Sequence, residues 1–433
     1  MGDHEMRNNR IRRSGGLAAI ALAGTILAGM PAWAQDAVSD SVLGRPRPGY
    51  DPLGIDLFAG PNDPGSPFVL YPSITLTGGW DDNVFRENDD TDDDFFLVIS
   101  PSLVLASDWV NHGLNFHATA GIKRNLDFTE NNFTVFEIGT DGFLDVGLDS
   151  KVFAAAAFGR AVDGRDDVED AGEDDRDDLV KHWFNRQTLG FSTMFGDFTW
   201  VVQGDRQRLN YVDNDNNQDD RDRTQYDITS RLAYEFQPGV SVFVGGGYNW
   251  RRYDDETDDF GFNRNSEGWK AEGGFIYDIT GVLAAEVGAG YVSQNPEDPS
   301  FGNNSGFAVD ANITWNPTEL ITIRALAATT INETTLDDES TGRAIQGGIG
   351  FDYDLADNLI FTSNGTYTRV RYEPAEGFEE RTDNIWQGDA AVIWLINENF
   401  SLRTDYVHTR RSSSEAGEDY VDNTVLLSLK AGL

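Results

Sequence analysis

The sequence predicts an all-β protein: a single transmembrane antiparallel up-and-down β-barrel of about 18 strands, within a range of about 16–18. Three observations predict it. From about residue 71 to the end, runs with apolar residues at every second position recur. Their connections alternate between tight turns and long acidic links, with the tight turns roughly 40 residues apart. The chain also opens on a segment that reads as an export signal.

Residues 1–34 carry that signal. Arg7, Arg10, Arg12 and Arg13 precede an apolar core, and Ala32-Trp33-Ala34 forms a small-residue cleavage site. The core is short for a membrane-spanning helix, so a cleaved signal peptide is expected and the mature chain starts near Gln35. No later run approaches the length of an apolar spanning helix. If the mature chain sits in a membrane, it does so as a barrel.

Residues 35–70 are dense in Pro and Gly, which disfavours helix and long strand. They read as a periplasmic extension or as a piece lying in the lumen. Residues 71–433 are the barrel. In SVFVGGGYNW, Val242, Val244, Gly246, Tyr248 and Trp250 fall on one face. In GFAVDANITW, Phe307, Val309, Ala311, Ile313 and Trp315 oppose Asp310, Asn312 and Thr314. The last run places Val425, Leu427, Leu429, Ala431 and Leu433 on one apolar face, as closure against the first strand requires. Trp80, Trp200, Trp315, Trp386 and Trp394 lie near predicted strand ends, where interface girdles belong.

Two soluble architectures are disfavoured. A β-propeller blade needs four strands in about 40 residues, and here two long ones fill that length. A sandwich does not explain regular hairpins with the long links all at one end. A tilted strand of about 9–11 residues crosses a bilayer, with short turns on the periplasmic side and long loops outside.

With the apolar face toward lipid, the opposite face lines a lumen. It carries Lys123, Arg186, Asp227, Arg231, Glu235, Lys270, Glu272, Glu286, Asp310, Arg324, Asp352, Asp389, Arg403 and Asp405. Arg or Lys on the lipid face costs about 2–4 kcal/mol near the bilayer midplane, which supports this assignment. Both signs are present, so the lumen is expected to be hydrated and crossed by local fields.

The chemistry classes narrow further. The formal net charge is −40, from 73 acids and 33 bases, which makes nucleic acid a poor partner. There is no cysteine and no H-E-x-x-H motif, and the five histidines are scattered, so no catalytic arrangement emerges. No cofactor is expected. Acidic runs at 163–178 and 214–222 suit weak divalent-cation binding, but none has the spacing of a dedicated Ca²⁺ loop. Outer-membrane lipid and lipopolysaccharide are the expected surroundings, and the oligomeric state is not legible.

One region carries a family resemblance. Arg45-Pro46-Arg47-Pro48, Tyr50-Asp51-Pro52, Tyr71-Pro72-Ser73 and Trp80-Asp81-Asp82-Asn83 resemble the opening of a family of β-barrel porins of Gram-negative bacteria, especially alphaproteobacteria. Trp80 stands where the family has Tyr, and Tyr71 where it has Phe. The resemblance implies an outer-membrane barrel without catalytic residues, and some members are linked to exopolysaccharide or capsule production. Three readings follow: a porin for ions or small hydrophilic solutes, an outer-membrane component of polysaccharide secretion, or a non-conducting structural or surface-interaction barrel.

Overall fold

The computed structural model describes residues 47, 49–57, 67–165, 179–212, 218–335, 339–375 and 377–433. The expected signal peptide, Arg45, and most of the acidic runs (166–178 and 213–217) lie outside the described residues. A short strand, β1 (Ile55–Leu57), precedes eighteen longer ones. These are β2 (Phe68–Asp81), β3 (Asp94–Ser107), β4 (His112–Asn125), β5 (Phe133–Asp145), β6 (Ser150–Val162) and β7 (Lys181–Phe195). Then come β8 (Phe198–Tyr211), β9 (Arg223–Gln237), β10 (Val240–Tyr253), β11 (Ser266–Thr280), β12 (Leu283–Pro296) and β13 (Asn304–Trp315). The last six are β14 (Ile321–Glu333), β15 (Glu339–Ala356), β16 (Leu359–Pro374), β17 (Thr382–Leu395), β18 (Phe400–Ser413) and β19 (Tyr420–Gly432).

Each long strand pairs antiparallel with its neighbour in sequence, and β19 pairs back onto β2 from Thr424↔Asp81 to Gly432↔Ser73. The sheet is therefore closed, and backbone donors and acceptors find partners within it. β1 takes over the β2 edge where β19 stops, with Ile55 opposite Leu70 and Leu57 opposite Phe68. Tight turns such as 196–197 and 238–239 use Gly196 and Gly239 at φ of 62° and 75°, a region open to glycine at little cost. Links such as 82–93 and 254–265 are much longer and gather at the other end.

The alternation read from sequence sorts the side chains by face. Val244 and Ile349, on the outer wall, are each 63% exposed, whereas Phe243 and Asp352 on the inner wall are 4% and 1% exposed. An apolar exterior around a polar interior is stable only where the exterior meets lipid.

One ladder is interrupted. β13 and β14 pair only from Ala311↔Ala327 to Trp315↔Ile323. Beyond that, Thr329 Oγ1 accepts from the Val309 amide at 3.0 Å, and Asn304 Nδ2 donates to the Thr341 carbonyl at 3.2 Å. β14 and β15 stay paired to Glu333↔Thr341, so their long-link ends lean together off the wall and into the lumen. Ile331, on the outer face by alternation, is buried there.

The barrel seam is latched by the triplet Asp81-Asp82-Asn83. One Asp82 oxygen accepts from the Asn423 amide at 2.6 Å and the other from Asn423 Nδ2 at 2.7 Å. The fully buried Asn83 donates through Nδ2 to the Val421 carbonyl at 2.9 Å and accepts from the Glu87 amide at 2.9 Å. Asp81 in turn accepts from the Asn83 amide at 2.9 Å. These bonds carry the closure past the last ladder pair. Asp82→Ala is expected to destabilise the closed barrel by about 2–3 kcal/mol, seen as a lower midpoint for the heat-dependent shift in gel mobility. Asp89→Ala, at the exposed loop tip, should leave the midpoint unchanged. Equal midpoints for native and Asp82→Ala barrels would show that the ladder alone holds the seam.

Candidate functional site

The inner wall brings the predicted charged residues into short pairs. Arg231 on β9 lies 2.7 Å from Glu286 on β12, and its guanidinium sits 3.7 Å above the Phe243 ring. Lys270 reaches Glu272 at 2.8 Å and also bonds Asp310. Arg324 clasps Asp352, which accepts a further bond from Thr362 at 2.7 Å. Arg403 and Asp405, two apart on β18, meet at 2.6 Å. Arg186 approaches Glu137 at 3.4 Å, and Glu137 meets His117 at 3.1 Å. Lys123 stands over the Phe96 ring at 4.4 Å near the long-link end. Asp227 accepts from Gln225 at 3.0 Å and Asp389 from Asn364 at 2.9 Å.

Glu235 keeps the inward parity of β9, opposite Ser241 on β10, but lies near the short-turn end of the strand. It is exposed there and accepts the Gly239 amide at 2.7 Å, so a turn amide takes up the carboxylate.

Sequence reading passed over several inner-wall acids. Asp205 lies directly opposite Asp227 and accepts from Thr188 at 2.6 Å and Gln203 at 2.8 Å. Asp141 accepts from Asn115 at 2.9 Å. The signal was present: Gln203, Asp205 and Gln207 alternate on β8, as do Glu137, Gly139 and Asp141 on β5.

These contacts are unequal by sign. Arg186, Arg231, Lys270, Arg324 and Arg403 each have a carboxylate within 3.4 Å. Asp141, Asp205, Asp227 and Asp389 are held by amides and hydroxyls, with no Lys or Arg within 4 Å among the described residues. The middle of the wall therefore carries negative charge in excess.

Two constructions narrow the lumen. At the long-link end the leaning β14–β15 hairpin is held against the inner face of β10 and β11. Arg251 pairs with Glu333 and donates to the Ile331 carbonyl at 2.8 Å, and Ser266 donates to Glu333 at 2.9 Å. Arg264, paired with Asp258 at 2.5 Å, donates to the Glu339 carbonyl at 2.6 Å. At the short-turn end the segment before β1 crosses toward β15–β17. Arg47 reaches Asp354 at 2.7 Å, and Tyr50 packs on the inner-wall cluster of Ile360, Ile393 and Leu395. Asp51 accepts the Arg47 amide at 2.5 Å, fixing the turn that presents both side chains. The Pro72 carbonyl accepts the Leu433 amide at 3.1 Å, where β19 ends and β1 takes over.

Asp81, Asp82 and Asp422 bring carboxylate oxygens within 4.8 Å of one another. Arg86 already lies there, 2.6 Å from Asp422 and 3.2 Å from Asp81, so part of the group's charge is compensated from within the chain. Outside the strands, Asp163 is clamped by Arg221 at 2.8 Å and His182 at 3.1 Å. Burial alone would raise its carboxyl, but these neighbours outweigh it and hold the group down at about 2.

Residues 47–432 match the model of a family described as "Putative beta-barrel porin 2". The chain belongs to this family. It is an integral outer-membrane β-barrel with extracellular-facing loops. Solved structures are similar at low identity. The BenF-like porin of Pseudomonas fluorescens Pf-5 is 11% identical, with 84% of this chain and 99% of that one covered and a TM-score of 0.44. OpdK of Pseudomonas aeruginosa with vanillate is 10% identical, with the same coverage and a TM-score of 0.44. The siderophore receptor PirA of Pseudomonas aeruginosa is 10% identical, covers 84% of this chain and 80% of its own, and has a TM-score of 0.41. No curated protein matches the chain.

Two outcomes follow from this geometry. Arg251→Ala leaves the buried Glu333 carboxylate without its base, a loss of about 3–5 kcal/mol. Amides of the β14–β15 hairpin should then exchange with deuterium much faster while β16–β18 stay protected. Unchanged protection would show that other bonds hold the hairpin. The depressed Asp163 carboxyl contributes stability that is fully present above the ordinary value of 3.8 and is lost as pH falls through about 2. Amide protection at Asp163 and at Val180–His182 should therefore persist at pH 4 and be lost near pH 2. In Arg221→Gln burial dominates, and that protection should already fall at higher pH; identical profiles would show that the pair does not hold these residues.

Proposed function

We propose that the barrel is a channel for the diffusion of small hydrophilic solutes and ions, with a preference for cations. The observation that carries the reading is the imbalance on the inner wall. Its mid-wall bases are consumed in ion pairs, while Asp141, Asp205, Asp227 and Asp389 keep their charge facing the lumen. Acidic rings favour cations by lowering the energy of a positive ion within the pore. The adjacent Asp205 and Asp227 make the strongest local contribution. The acidic outer links add a field that concentrates cations at the entrance when ionic strength is low.

The infolded hairpin and the segment at the periplasmic mouth favour a second reading, a barrel whose resting lumen is closed. Planar-bilayer recording separates the two. A diffusion channel gives steady conductance and, in a salt gradient, a reversal potential of cation-selective sign. Asp205→Asn with Asp227→Asn should move that potential roughly halfway toward zero. A reversal potential of the opposite sign would overturn the cation preference. Silence from the native barrel, with conductance appearing in Arg251→Ala, would establish the closed reading instead.

A further inference from the structure

The outer wall carries arginines, which the cost of a cation in lipid argues against. They all lie toward the extracellular end. Arg160 sits 5.9 Å from the Trp183 ring, and Arg369 and Arg410 stand beside Tyr367 and Trp386. Most informative is Arg206 on β8. By alternation it faces outward with Gly204 and Trp200, opposite Gln187 on β7 and Tyr226 on β9. Its guanidinium donates to Gln187 at 2.9 Å and Asn185 at 3.3 Å, and lies 6.0 Å from the Tyr226 ring. Both hydrogen-bonding partners are neutral amides. Among the described residues, no carboxylate lies within 4 Å of it. Its neighbours in the wall differ: Arg208 is paired with Asp254 at 2.5 Å and Arg252 with Glu267 at 2.6 Å.

Directly below this cation runs a groove of about 330 Å³ in the outer wall. Leu189, Gly204, Ile228, Tyr226 and Trp250 line it, with Arg206 at its extracellular end. Gly204 creates the depth, since a Cβ there would meet nothing nearer than 3.9 Å. Leu189 and Ile228 are 63% and 51% exposed, so the floor is apolar and open to the bilayer. Tyr226 and Trp250 stack with centroids 5.3 Å apart, which sets the groove's upper end at the membrane interface.

We infer that this groove binds the phosphorylated, multiply acylated glucosamine lipid of the outer leaflet, lipid A. The apolar floor takes an acyl chain, and the forked guanidinium of Arg206 takes a phosphate in paired hydrogen bonds. The outer face of an outer membrane presents this headgroup at the depth of the extracellular aromatic belt. An anion there supplies the charge that Asn185 and Gln187 do not. It also explains why the cations of the outer wall crowd one rim of a chain with so large an excess of acid.

The test is native mass spectrometry of the full barrel in detergent, titrated with bis-phosphorylated lipid A, with lipid A stripped of phosphate, and with phosphatidylglycerol. Gel mobility confirms that each variant is folded. The native barrel should retain bis-phosphorylated lipid A, and Arg206→Gln and Gly204→Leu should each weaken retention about tenfold. Stripping the phosphates should erase the difference between native and Arg206→Gln but not that between native and Gly204→Leu. Equal retention by native, Arg206→Gln and Gly204→Leu barrels would overturn the inference. So would retention of phosphatidylglycerol as tight as that of lipid A, which would make the groove a general phospholipid seat.

Discussion

Closure of the first long strand onto the last is the constraint on which the rest of the structure depends. In a bilayer an open sheet edge leaves a row of unpaired amides and carbonyls in hydrocarbon, each costing several kcal/mol. β2 and β19 are far apart in sequence, so their meeting is the least local event in the fold. The chain strengthens this seam at both ends. At the extracellular rim Asp82 grips Asn423 with both oxygens. At the periplasmic rim β1 extends the ladder beyond the end of β19. Part of the motif that resembles a porin family therefore has a physical meaning: Pro72-Ser73 and Asp81-Asp82-Asn83 sit at the two ends of the seam.

Closure also dictates the chemistry of the interior. Once the apolar face is turned to lipid, the opposite face must hold polar groups at close quarters in a narrow space. Bases there are neutralised by acids two residues along a strand, as with Arg403 and Asp405, or on another strand, as with Arg324 and Asp352. With acids in large excess over the chain, some remain once the bases are used. The negative lumen is thus a consequence of composition filtered by pairing, and the amides around Asp205 and Asp389 orient the surplus charge without cancelling it.

Strand identity and closure were legible because period-two alternation is a local property. The run from Val425 to Leu433 announces an outer face in its own few residues. Tight turns were legible for the same reason, since Pro238-Gly239 encodes its own bend. The inner wall was only partly legible. Alternation gives the face of Asp227, but the partner of a lumen charge depends on register across strands, so Arg231 finding Glu286 could not be read from either strand alone. Glu235 shows a further limit, because alternation gives its face but not that the Gly239 turn amide takes up its carboxylate at the mouth. The outward arginines were the least legible, because alternation says which face a residue takes and not how deep in the membrane it lies.

The interrupted β13–β14 ladder is where the interior overrides the wall. Elsewhere neighbours pair nearly end to end, whereas here only the five pairs between Ala311↔Ala327 and Trp315↔Ile323 remain. The amides released are met in part by side chains, as when Thr329 accepts from Val309. Such substitution is costly unless something draws the hairpin inward, and Arg251 and Arg264 are placed to do so. Each bonds a backbone carbonyl of the hairpin or its link and a carboxylate, so its charge is compensated while its remaining donors hold the displaced chain. The lumen constriction and the gap in the wall are therefore one feature: the bonds missing between β13 and β14 are partly replaced across the lumen by contacts from β10 and from the link that leads into β11.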